Sequence, residues 1–193
     1  MLDTRNNSNR KTILPKGVHK VKVISHSQKI VSNNNGEWNI IEVVVGNQLG
    51  QQTKTFWPPN LDNLNPKTGE SLQDCKKRVL KNYSESVFAL TSSLFEGDEK
   101  HISGSSVETF NKMFFNRLNT AISKGIEFMV INTVDERNPE YSSFPKFNWV
   151  MPLNTLPNGG FVLSKYDLGT SPKFEDNYSP NNSPSKTADD LPF

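Results

Sequence analysis

One cysteine, Cys75, is all the thiol chemistry that this 193-residue chain carries. An intrachain disulfide is therefore excluded, and a reducing compartment is expected. No apolar run reaches the roughly 18 residues that a membrane-spanning helix needs, so no membrane partner is expected. Residues 1–8, Met-Leu-Asp-Thr-Arg-Asn-Asn-Ser, lack the apolar stretch of a signal peptide, which makes the cytoplasm the expected location. His19, His26 and His101 stand far apart with no partner at zinc spacing. The chain has no Gly-x-x-x-x-Gly-Lys-Ser/Thr phosphate loop and no Gly-x-Ser-x-Gly elbow, and no internal repeat is visible. No catalysis, no metal and no cofactor are expected.

Apolar residues are also scarce. A hydrophobic share of 34% and a mean hydropathy of −0.61 suit one core-forming body diluted by polar ends. The net charge of +2 conceals an asymmetry. Residues 1–30 hold seven basic side chains against one acid, whereas residues 154–193 hold three against five. A basic front and an acidic back suit a polyanion-binding body with a tail able to compete for the same groove.

Residues 1–12 read as a disordered basic N-terminus, 13–163 as the folded domain, and 164–193 as a flexible tail. Leu14-Pro15-Lys16-Gly17 opens a strand from Val18 to about Ser27, where Val21 and Val23 alternate with Lys20 and Lys22. Residues 32–36 read as a flexible turn. A β-branched run from Glu37 to Val45 and a third strand from Gln51 to Trp57 follow, the latter stopped by Pro58-Pro59.

The period then changes. Cys75, Val79, Tyr83, Val87, Leu90 and Leu94 recur at helical spacing, with Ser71 and Asp74 as a start signal. Cys75 lies beside Lys76, Lys77 and Arg78, a setting that could activate a thiol, but its place on the apolar stripe favours the core. A second helix spans about Val107 to Lys124, with Ser105 and Glu108 as its capping box and Gly125 as its stop. Strand character returns over Glu127–Val134 and Lys146–Met151, and Phe161–Leu163 offers a short further segment. Mainly β with a helical insert at about 71–125, this order is that of a five-stranded OB-fold barrel with helices between strands 3 and 4. A generic α+β sandwich is the competing architecture.

The chain ends Asp189-Asp190-Leu191-Pro192-Phe193. Two carboxylates before an apolar tip, behind a polar stretch, form an end built to be gripped by an apolar pocket with a basic rim. These residues resemble the acidic tip of bacterial single-stranded DNA-binding proteins, with Leu191 where that family usually has Ile. The resemblance implies docking of replication, recombination or repair enzymes. Leu14-Pro15-Lys16-Gly17 is similar to the turn that launches the first strand of phage-encoded OB-fold single-stranded DNA-binding proteins. The helical insert is much longer than the single helix of the bacterial family, which points to a phage or mobile-element protein and leaves homo-oligomerisation open.

A protein that holds unpaired strands without sequence preference needs cations for phosphates and flat rings for bases. Lys20, Lys22, Lys54, Arg137 and Lys146 are the expected cations. Trp38, Phe56, Trp57, Tyr141, Phe147 and Trp149 are the expected platforms, with core packing the alternative for each strand aromatic. Phe144 lies with Tyr141 on the loop that would grip a strand, with capping of the barrel before Pro145 as the alternative, and Phe110 and Phe114 are expected to pack. Binding is expected to weaken steeply with salt. Two other functions remain open on sequence grounds. One is an adaptor that mimics the host tip without binding DNA, and the other is a metal-dependent nuclease using Asp135, Glu136 or Glu140.

Overall fold

Strand-forming residues in the first third of the chain build one long antiparallel meander. The computed structural model describes residues 12–33, 36–134, 142–145 and 149–153. In it β1 (Gly17–Asn33), β2 (Gly36–Asn47) and β3 (Gly50–Phe56) pair in sequence. The β1–β2 hairpin runs well past the expected end at Ser27, because cross-strand pairs continue through Val31↔Trp38 to Asn33↔Gly36. Polar side chains on β1 after Ser27 had masked that extension, and backbone pairing does not need apolar ones.

Two local features shape the meander. The Asn47 side chain accepts from the Leu49 backbone N–H at 2.8 Å, closing the β2–β3 turn. A register shift between Val23 and Ser25 then re-phases β1. Val21 and Val23 face the core before the shift, and His26 pairs with buried Val43 after it. His26 thereby meets the second helix, stacking on Phe115 at 5.1 Å and hydrogen-bonding Asn119 at 2.9 Å.

Helix α1 (Leu72–Leu94) runs unbroken through Tyr83 and Ser84. Ser71 Oγ caps it by accepting from the Asp74 N–H at 3.1 Å. Helix α2 (Val107–Lys124) starts at Ser106, not Ser105: Ser106 is extended and its Oγ accepts from the Thr109 N–H. Glu108, expected to complete a capping box, instead reaches Lys112 one turn on at 2.8 Å. Gly125 ends the helix in the left-handed region at φ 61°, where a Cβ is disfavoured. Strand β4 (Glu127–Val134) returns along β1, and two short strands, β5 (Ser142–Ser143) and β6 (Val150–Pro152), pair with β4.

The resulting sheet has the order β3-β2-β1-β4-β5, with β6 also on β4, and all its pairs are antiparallel. It is open: among the described residues no ladder joins β3 to β5 or β6. Its inner face presents Val21, Val23, Ile41, Val43, Val45, Phe128 and Val130 to Val87 and Leu90 of α1 and Phe114 and Leu118 of α2. Each such side chain contributes about 1.5–3 kcal/mol on burial. Cys75 is fully buried, as its place on the apolar stripe implies. Between the helices the buried Tyr83 hydroxyl donates to Asn111 Oδ1 at 2.6 Å, and burial pushes its pKa up.

Thr12 to Pro15 form a strap rather than a simple launch into β1. Leu14 is fully buried. Its N–H donates to the Gln51 carbonyl on β3 at 3.1 Å, and the Gln51 N–H donates to Thr12 O at 2.8 Å. On the other side, Ser142 Oγ donates to Leu14 O at 2.6 Å, and buried Asn132 Nδ2 donates to the same oxygen. The strap therefore ties the β3 edge to β4 and β5. A Cβ on Gly50 would lie 2.6 Å from Thr12 O, so only glycine allows this close approach.

Candidate nucleic-acid interface

Direct cross-strand partners lie on one face of a sheet, so Lys54 opposite Val43 and Phe56 opposite Ile41 both point to the inner face. At the β3 end that face is not covered by sheet. It opens instead into a groove of about 920 Å³ between β3, the segment after it, and α1. The floor is aromatic. Phe56 is 2% exposed and meets Phe114 edge-on at 5.3 Å and Trp149 at 6.4 Å. Trp149 is 3% exposed and is covered by the Lys54 ammonium, 4.9 Å from its ring centroid. At the rim stand Trp57, 55% exposed, and the half-buried Trp38.

The opposite wall is one face of α1. Arg78, Asn82, Glu85, Ser86 and Ala89 recur at spacings of three and four and line the groove together. Arg78 is not an open cation. Its guanidinium grips Glu70 with two bonds, of 2.7 and 2.8 Å. The Arg78 hydrogen bonds, followed by one from the Lys67 backbone N–H, hold the Glu70 carboxyl down at about 2, and the pair raises Arg78 in return. With Arg78 neutralised and Glu85 nearby, Lys54 is left as the principal cation among the described groove residues.

Five sequence-expected residues thus share one groove: Trp38, Lys54, Phe56, Trp57 and Trp149. Phe56 and Trp149 serve as its floor, because each fills core space beneath the sheet, so neither presents an open platform as the sequence had suggested. Lys20 and Lys22 are elsewhere. They alternate with buried Val21 and Val23 and so project from the outer face of β1. There they flank Glu127 on β4 at 3.1 and 3.7 Å, holding its carboxyl below the ordinary range, chiefly through the Lys20 hydrogen bond. Arg137, Tyr141, Lys146, Phe147 and the terminal residues 189–193 lie outside the described residues, as do Asp135, Glu136 and Glu140. Phe144 is half-buried and packs 4.8 Å from Trp149.

No protein-family model, curated protein or solved structure matches this chain. Its chemistry must therefore be read from its own residues. Among the described residues, no group of histidine, cysteine or acidic side chains could hold a metal ion, and no helix is long and apolar enough to cross a membrane.

Two contributors to the groove escape a strand-centred reading. One is the segment after Trp57, where Pro58, Pro59, Asn60, Asn63 and Asn65 build the outer lip. The prolines mark the end of a strand, and the asparagines that follow were the available signal. The other is the polar face of α1, visible as the 78–82–85–89 spacing opposite the core stripe.

Proposed function

We propose that the chain is a non-catalytic single-stranded DNA-binding protein. Its bases would stack in the β3–α1 groove while the acidic end, Asp189 to Phe193, recruits replication, recombination or repair enzymes. The observation that carries this reading is that exposed Trp57 and half-buried Trp38 line one groove together with Lys54, over a floor made by Phe56 and Trp149. Each base stacked on an exposed ring contributes about 1–3 kcal/mol, and every base has a face to offer. An OB-type barrel is the architecture we infer. In support, the strand order has β1 between β2 and β4, both helices fall between β3 and β4, and the free edges approach each other. Gln52 Nε2 donates across the gap to Ser142 O at 3.3 Å, beside the Phe56–Trp149 contact.

Titrating the full chain with a single-stranded oligonucleotide should quench tryptophan fluorescence, and a duplex of the same sequence should do so far more weakly. Equal affinity for both, or for neither, sinks the reading. The adaptor alternative, in which the groove takes a protein segment, draws support from the scarcity of open cations on its walls. Deleting Asp189–Phe193 separates the two. A DNA-coating protein keeps its affinity for single strands, whereas an adaptor has none to keep and loses enzyme capture.

A further inference from the structure

The two walls of the groove differ in chemistry. β3 and its extension supply rings, whereas α1 supplies Asn82, Glu85 and Ser86. Glu85 has an exposed carboxylate, 62% accessible, whose ion pair with Lys81 is long at 3.8 Å. Asn82, three residues earlier on the same face, makes no side-chain hydrogen bond to another described residue. A carboxylate on this wall repels phosphates, so a strand lying in the groove must turn its backbone away from α1 and its base edges toward it. A carboxylate also only accepts hydrogen bonds. It favours bases with an exocyclic amino group and disfavours thymine, whose one ring N–H lies between two carbonyl oxygens.

We propose, building on the single-strand reading, that α1 is a base-reading wall. The groove then selects amino-bearing bases over thymine, with Glu85 as the acceptor. The rings supply stacking to any base, and the helix supplies the discrimination.

Labelled oligodeoxycytidylate and oligothymidylate of about 12 nucleotides, within the span of one site, test this on the full chain by fluorescence anisotropy. Cytosine and thymine are both pyrimidines and differ chiefly in an amino against a keto group at C4. The cytosine oligomer should bind at least about fivefold tighter, the low end for one specific base contact. Glu85→Gln should bring the ratio close to one, since an amide can also donate to the thymine O4. Glu85 is exposed on the helix surface, so circular dichroism should be unchanged. Equal or tighter binding of the thymine oligomer, or a ratio that survives Glu85→Gln, overturns base reading while leaving stacking in the groove intact. Binding of neither oligomer overturns both.

Discussion

The Lys54 ammonium lies 4.9 Å from the centroid of the Trp149 ring, spanning the gap between β3 and the segment that leads into β6. One side chain thus covers the groove floor, joins two edges that no ladder among the described residues connects, and carries positive charge where phosphates would pass. Lys54→Met keeps the aliphatic stem and removes the charge. The expected cost in stability is that of a partly buried cation–π contact, about 0.5–2 kcal/mol by urea denaturation. Weaker single-strand binding should accompany it.

Two tryptophans in the same groove should respond in opposite ways. Trp57→Ala removes a ring that is 55% exposed, so unfolding should be nearly unchanged while single-strand affinity falls by about 1–3 kcal/mol. Trp149→Ala empties core space against Phe56 and Phe144, and should lower stability by about 3–5 kcal/mol. Paired denaturation and titration curves check both.

The strap predicts a long-range effect from a residue outside the main strands. Leu14→Ala should destabilise by about 2–5 kcal/mol, the usual cost of truncating a fully buried leucine. Gly50→Ala should have a comparable effect for another reason: its new Cβ would collide with the Thr12 carbonyl oxygen and expel the strap from the β3 edge. Hydrogen exchange at Gln51, whose N–H donates to that oxygen, should rise in both variants.

Glu70 and Arg78 set a pH dependence whose sign can be worked out. The Glu70 carboxyl is held at about 2 in the fold, against 4.5 ordinarily. A group with a depressed folded pKa stabilises above its unfolded value, and that contribution is lost as pH falls through the folded one. Glu70→Gln should therefore melt below the wild type at neutral pH. The difference should shrink below pH 4.5 and vanish near pH 2. Thermal melts across that range provide the measurement.

Salt dependence distinguishes two paths for a strand. On single strands each neutralised phosphate adds about −0.7 to the slope of log K against log salt. Confinement to the groove, with Lys54 and the already paired Arg78, should give no more than about −1.4. A much steeper slope would count more phosphate contacts than the groove's cations supply, and would put the strand's main path outside it.

Most elements were legible locally. The core stripe of α1, the Gly125 stop and the limits of β4 follow from period and capping chemistry. Ser106, adjacent to the expected Ser105, shows the limit, since both serines suit an N-cap and only the backbone path into α2 selects one. The far end of β1 was illegible because Gln28, Lys29, Ser32 and Asn33 are not strand markers. Their pairing is imposed by the ladder growing out from Val43 and Ile41.

Alternation and helical spacing alone decided that this chain has three early strands, two amphipathic helices and a returning strand, because those patterns act between near neighbours. Only the tertiary structure decided that Trp38, Trp57 and Trp149 line one groove with a face of α1, that Lys20 and Lys22 face away, and that Leu14 bridges Gln51 and Asn132. Such contacts join residues tens to more than a hundred positions apart. They are selected by how the sheet and helices close over a common core, not by any local run of residues.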